Sequence, residues 1–249
     1  MTTTANPFEK FGIDHLSYSQ ANLFNTQPAA WAIKYLWNIK DDGNPATWRG
    51  RAVEKGLDVY LFSGDIQNGL MAAAQEYDNL AQGLADDKAL AERANVPEIY
   101  KQAINVFANK GTPVHRQHRL EIKLPGLAVP VLAFTDYEWD GYGIDLKTTL
   151  RLPSSPSAGH VAQMALYSYA TDKQFSLVYV TPKKSAVYPV TQEMAIPSFK
   201  RLHRTFLSMQ QVLTMCETRE QVASLFGCDL EHYVWTPDLM TKLEEVSGP

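Results

Sequence analysis

Two cysteines in 249 residues, Cys216 and Cys228, set the first exclusion. An iron–sulfur cluster needs four thiolates, and structural zinc sites want a close C-x-x-C spacing that is absent here. Both thiols read as buried structural residues. No apolar run approaches the roughly 20 residues of a membrane span. The opening Met-Thr-Thr-Thr-Ala-Asn-Pro has neither the apolar stretch of a secretory signal nor the arginines of a mitochondrial transit segment, so a cytoplasmic location is expected. There is no internal repeat and no low-complexity tract, which excludes solenoids and arrays. Positive charge is not in excess either. Lys and Arg number 23 against 27 Asp and Glu, a net charge of −4. That argues against a general polyanion binder while leaving room for a local basic groove around an acidic metal site.

What is present is ample apolar material: 45% of the residues are hydrophobic, enough for one large packed domain over 1–249. A helical part is expected over about 16–110, a core over about 111–190 and C-terminal helices over about 191–249. Ser17 with Gln20 three residues on reads as a capping box opening a helix that bends at Pro28. Trp31, Tyr35 and Leu36 read as core. After a loop over residues 41–45, Trp48–Leu61 reads as an amphipathic helix. Helices follow over Ile66–Leu84, Asp87–Ala94 and Pro97–Asn109, the last with its proline in the first turn. From Pro113 the period changes to that of a strand.

The chain is organised around Val131–Thr149, where Asp140-Gly141 separates two apolar, aromatic-rich runs. That dipeptide is a strong hairpin signal because both central positions of the favoured turn want positive φ. Counting outward pairs Trp139 with Tyr142, Glu138 with Gly143, Tyr137 with Ile144 and Asp136 with Asp145, unless a bulge at Gly143 shifts the register. Lys147 then shares the face of Asp145. Two carboxylates opposed at roughly 4.5–5.5 Å destabilise a sheet, a cost offset when a cation sits between them. Hard oxygen ligands for Mg²⁺ beside an ammonium make up the requirement for divalent-metal phosphodiester hydrolysis.

Elsewhere Glu54 falls one turn from Gly50 and Leu57, near the buried stripe of its helix; a surface glutamate is the alternative. Arg49 and Arg51 either reach phosphate or are solvated. The loop over 151–159 leads into a helix on which His160, Gln163 and Tyr167 share a face, suited to phosphate or base contacts or simply half-exposed. Phe175–Val180 is a strand, Lys183 and Lys184 sit in the following turn, and Pro189 confines Ala186–Val190 to a sheet edge. Met194–Cys216 reads as a long helix. Thr218 with Gln221 opens another by a capping box, and Thr236-Pro237 starts the last.

In order, these residues resemble the PD-(D/E)XK nuclease superfamily, specifically its RecB-like exonuclease branch: Ser17-x-Ser19 opening a helix, Gly50-x-x-x-Glu54, the Asp136 strand, Asp145-Leu-Lys147-Thr148, then Gln163-x-x-x-Tyr167. The resemblance covers about residues 16–190. It implies an α/β (α+β) core, a mixed sheet flanked by helices. It also implies that Asp136, Asp145, Glu54 and the Leu146 carbonyl bind one or two Mg²⁺ or Mn²⁺ ions. Lys147 would orient and help deprotonate the attacking water, and Gln163 and Tyr167 would steady the strand near the scissile phosphate. Two departures stand out, since this branch often has His at Glu54 and Gly at Ala133.

The implied activity is a phage or bacterial DNA exonuclease in replication, recombination or degradation, leaving 5′-phosphate and 3′-hydroxyl products. A structure- or sequence-specific endonuclease and a non-catalytic nucleic-acid-binding protein are the alternatives. The expected partner is DNA with a free end, with a single-strand-binding or annealing protein and a second copy of the chain as further possibilities. The location would be the host cytoplasm if the chain is phage-encoded. His160 joins the DNA contacts, and Arg49, Arg51, Lys183 and Lys184 would supply the phosphate neutralisation.

Overall fold

The structure, a computed structural model, describes residues 6–40 and 42–247. The polar residues 1–5 and Asp41 of the expected loop lie outside the described residues. The elements run β1 (Leu16–Ser17), α1 (Tyr18–Thr26), α2 (Pro28–Leu36), α3 (Pro45–Ser63), α4 (Ile66–Ala81), α5 (Asp87–Phe107), β2 (His115–Ile122), β3 (Val131–Glu138), β4 (Tyr142–Thr148), α6 (Ala158–Thr171), β5 (Gln174–Val180), β6 (Ser185–Pro189), α7 (Gln192–Met215), α8 (Arg219–Ser224) and α9 (Pro237–Ser247). Six strands form one mixed sheet in the order β1-β3-β4-β5-β6, with β2 also on β3. The fold is the mixed α+β sheet with flanking helices that the pattern implied. β6 takes the edge, as Pro189 requires.

Two compact units divide the chain: residues 1–41, 119–134 and 196–249 form the first, and 42–118 with 135–195 the second. In the first, Leu16 and Ser17 pair in parallel with Val131 and Leu132. Trp31 is fully buried and meets Phe24 edge-on at 5.0 Å. Asn25 donates to Thr205 Oγ1 at 3.0 Å. Ser17 caps α1 by accepting from the Gln20 N–H at 3.3 Å, but the Gln20 amide reaches the His15 carbonyl, so only half of the expected capping box forms. Tyr35 is half-buried and not core, and Cys228 is exposed while Cys216 is buried.

The second unit carries the core around the Asp140-Gly141 hairpin. β4 pairs in parallel with β5 from Tyr142–Gln174 to Thr148–Val180, with α6 as the connection. Trp48, Val53 and Leu57 of α3 pack with Tyr77 of α4 and with Ile99, Tyr100 and Phe107 of α5. Tyr137, Ile144, Leu146, Val178 and Val180 of the sheet complete this cluster. The apolar run Leu177–Val180 of β5 suits a strand buried on both faces. One expectation fails here. Residues 87–107 form a single helix with Pro97 inside it, not two. Val96, Ile99 and Tyr100, at most 1% exposed, lie immediately beside the proline. Their burial holds both halves to one axis despite the lost backbone donor.

Candidate active site

The hairpin register is as counted. Trp139 N–H donates to the Tyr142 carbonyl at 2.9 Å, and Tyr137–Ile144 and Glu138–Gly143 are paired. The turn differs from the expected type, because only Gly141 has positive φ (+80°) and Asp140 does not. One such position, filled by glycine, closes a two-residue loop of the kind that needs φ > 0 only at its third residue. Gly143 makes no bulge. A Cβ there would come within 2.1 Å of the Phe175 ring, so the strand lies too close to β5 for any side chain.

Beyond Tyr137–Ile144 the pairing stops. In a continued ladder the Leu146 N–H would meet the Thr135 carbonyl. Instead it donates to Asp136 Oδ2 at 2.9 Å. Asp136 and Asp145 therefore stand one step past the last registered pair, where a carboxylate has taken the place of a backbone acceptor. A strand residue's N–H and C=O leave by the same edge, so the Leu146 carbonyl also faces this opening.

Asp145 is 0% exposed, and neither of its oxygens has a hydrogen-bond partner. The Lys147 ammonium lies 2.7 Å from Oδ2 as its ion-pair partner. Glu54 reaches the same place from α3. Burial, followed by the nearby charges of Asp145 and Asp58, outweighs the pull of Lys147 and Arg51 and raises its carboxyl to about 7. Asp136 is pushed well above the usual carboxylate range by burial, then by Asp145 and Glu54. Burial opposes the charge on Lys147, but Asp145 and Asp136 win and raise its pKa. Three acids and one lysine thus share a single electrostatic neighbourhood.

Arg49 holds this arrangement in place. It is 4% exposed, ion-paired with Glu92 of α5, and donates to the Thr148 carbonyl at 3.2 Å. It clamps the helix carrying Glu54 against the end of the strand carrying Asp145 and Lys147. The expectation that Arg49 contacts phosphate is corrected by this burial: Glu92 and Thr148 enclose its guanidinium. Arg51 is exposed, 3.6 Å from Glu76, and Lys183 and Lys184 are exposed in the β5–β6 turn.

On α6, capped by Ser157, Gln163 donates to the Tyr167 hydroxyl at 2.7 Å. Tyr167 is only 3% exposed, and burial, followed by Asp145 and Asp136, raises its pKa. Its hydroxyl therefore belongs to the acid neighbourhood, with Gln163 as the more accessible of the two. His160 bonds through Nδ1 to the Tyr179 hydroxyl at 2.5 Å. Tyr179 carries no signal in the sequence, because it sits in an apolar strand with no motif around it. Glu138 carries none either; it is 1% exposed and bonded to Thr135, His118 and Lys173. That acid is a structural tie, fully supplied with donors where Asp145 has none.

Among the described residues, no three His, Cys, Asp or Glu side chains converge as a finished metal shell. The chemistry of the donors nevertheless fits a divalent ion. A buried carboxylate with both oxygens unpartnered is costly, and the oxygens of Asp145, Asp136 and Glu54 suit a hard cation and not a soft one.

The family model described as the PD-(D/E)XK nuclease superfamily matches residues 15–231. The chain belongs to this superfamily, whose members are nucleases. Asp145-Leu-Lys147 supplies the D-x-K of that name, while Thr135 stands where the name has proline before Asp136. No curated protein matches the chain. The chain is also similar to the solved structure titled "Crystal structure of SSO0001", at 14% identity over 74% of this chain and 85% of that one, with a TM-score of 0.35.

Proposed function

We propose that the protein is a divalent-metal-dependent DNA exonuclease of the RecB-like branch, acting on ends in phage or bacterial DNA replication, recombination or degradation. The observation that carries this reading is Asp145, wholly buried and without donors, with Lys147 at 2.7 Å. The order of the surrounding motifs, from Gly50-x-x-x-Glu54 through Gln163-x-x-x-Tyr167, supports the branch.

Asp136, Asp145 and Glu54 would hold Mg²⁺ or Mn²⁺, with the Leu146 carbonyl beside them. When bound, such an ion makes a nearby water more acidic and offsets the charge of the phosphoryl oxygens. The chain's own residues do the rest. Lys147, kept protonated by Asp145 and Asp136, orients the attacking water and faces the charge that develops on phosphorus. Gln163 bonds the DNA strand, with Tyr167 fixing its amide. Arg49 keeps the Glu54 helix in register with the β4 strand. Exposed Arg51, Lys183 and Lys184 neutralise backbone phosphates, which the net charge of −4 makes necessary.

The test compares end-labelled linear DNA with covalently closed circles, in Mg²⁺ or Mn²⁺ and with a chelator as control. Progressive trimming of the linear form, survival of the circles and loss of activity with chelator are the expected results. Rapid nicking of circles would replace this reading with an endonuclease. Binding without cleavage of either form would replace it with a non-catalytic nucleic-acid-binding protein.

A further inference from the structure

Next to Lys147 lies a cavity of about 450 Å³, with Thr149, Arg151, Ser157, His160 and Tyr179 among its walls. That volume falls in the range of roughly 300–1,000 Å³ typical of small-molecule sites. It accommodates a single nucleotide and not a duplex. None of its lining residues carries a carboxylate, and two carry positive charge. The contrast with the adjoining acids is sharp: one neighbourhood asks for a cation, the next for an anion.

The two cations differ in what they have left to give. Lys147 is paired with Asp145. Arg151 is exposed and makes no ion pair among the described residues. Its backbone is held on both sides by Thr149, whose hydroxyl donates to the Arg151 carbonyl at 3.1 Å and accepts from the Arg151 N–H at 3.4 Å. The same loop is anchored where the Tyr188 hydroxyl donates to the Pro153 carbonyl at 2.6 Å. Anchoring the loop removes the backbone share of the ordering cost, and the planar guanidinium fork matches two phosphate oxygens.

The opposite wall adds a donor. The Tyr179 oxygen accepts the Ser157 N–H at 3.4 Å and lies 2.5 Å from His160 Nδ1. When Nδ1 accepts the phenol hydrogen, the neutral imidazole carries its own proton on Nε2, and His160 is then a hydrogen-bond donor.

We infer that this cavity seats the phosphate monoester of a terminal nucleotide, with Arg151 as the residue that recognises it. The inference rests on the nuclease reading of the neighbouring acids and deepens it: an enzyme that works from an end has a place for the group that marks the end. A 5′-phosphate and a 3′-phosphate share this chemistry, as does a released mononucleotide.

Calorimetric titration of the full chain in chelator with 5′-dTMP, 3′-dTMP and thymidine tests it, alongside cleavage of linear DNA ending in phosphate or hydroxyl. At least one monophosphate should bind 10-fold or more tighter than thymidine, and which one binds identifies the end that is read. Arg151→Ala should weaken that binding at least 10-fold, and Arg151→Lys should restore part of it. On DNA with the matching phosphate end, Arg151→Ala should raise KM about 10-fold with kcat unchanged. Equal binding of thymidine and both monophosphates would overturn the inference, as would an Arg151→Ala protein indistinguishable from the parent. Active cleavage indifferent to end phosphate and to Arg151 sinks the seat alone. Selective monophosphate binding by a protein that cuts no DNA sinks the nuclease reading and leaves the seat standing.

Discussion

Asp136 Oδ2 accepts the backbone N–H of Leu146 at 2.9 Å, across the point where β3 and β4 cease to pair. One carboxylate therefore serves two ends: it satisfies a strand amide and adds negative charge beside Asp145. The two roles separate by substitution. Asp136→Asn keeps an oxygen acceptor for Leu146 and removes the charge. It should abolish cleavage, yet in chelator it should be at least as stable as the parent, because repulsion with Asp145 and Glu54 is relieved. Asp136→Ala leaves the Leu146 amide without its acceptor and should cost about 1–3 kcal/mol relative to Asn. Urea denaturation of the two variants reads the difference; equal stabilities would refute the double role.

In the proposed site, Lys147 and a bound metal would compete to balance the same buried charge on Asp145. Lys147→Ala should lose cleavage and melt at a lower temperature without divalent ions. Added Mg²⁺ or Mn²⁺ should then raise its melting temperature by more than in the parent, since mass action stabilises whichever state binds the ion. Differential scanning fluorimetry against ion concentration checks this. A variant no more responsive than the parent would separate Lys147 from the ion's site.

Glu54 links pH to stability in the metal-free protein. Its carboxyl is raised to about 7 in the fold, first by burial and then by Asp145 and Asp58, from an ordinary value of 4.5. The folded state binds more protons than the unfolded one between those values. Its contribution is therefore fully present below about 4.5 and is lost as pH rises through about 7. In chelator, stability should decline from pH 5 to pH 8, and Glu54→Gln should flatten part of that decline. Melting curves across that window decide; an unchanged slope in the variant would place the linkage elsewhere.

Arg49 and the exposed cations should part company when substituted. Arg49→Ala strands the buried Glu92 carboxylate and should cost on the order of 3–5 kcal/mol. Arg51→Ala and the double change Lys183→Ala with Lys184→Ala should stay within about 0.5 kcal/mol of the parent. DNA affinity should respond the other way. The slope of log affinity against log salt should fall by about one for each phosphate-neutralising side chain removed at Arg51, Lys183 or Lys184. Filter binding over a salt series would show whether these residues meet phosphate.

The legible parts of this protein are those written in short spans. The Asp140-Gly141 turn, the register from Trp139–Tyr142 to Tyr137–Ile144, the Ser17 and Thr218 caps and the edge position forced by Pro189 all follow from residues a few places apart. Turn chemistry, side-chain alternation and capping are local, so a count along the chain suffices. The placement of Lys147 beside Asp145 follows from the same alternation, two residues apart on one strand face.

What only the tertiary structure decided depends on partners far along the chain. Arg49 reads as a phosphate contact until Glu92, 43 residues away, and Thr148, 99 residues away, are found to enclose it. Pro97 reads as a helix start until the packing around Val96, Ile99 and Tyr100 carries the helix through it. Asp136 opposite Asp145 was a matter of counting. That the strands part there, leaving Asp145 buried without a donor while Leu146 turns to Asp136, was not. Burial and desolvation are sums over everything that surrounds a group, so they exist only once the chain has closed around it. Local sequence named the acids and the lysine, and the enclosing fold buried them beside one another.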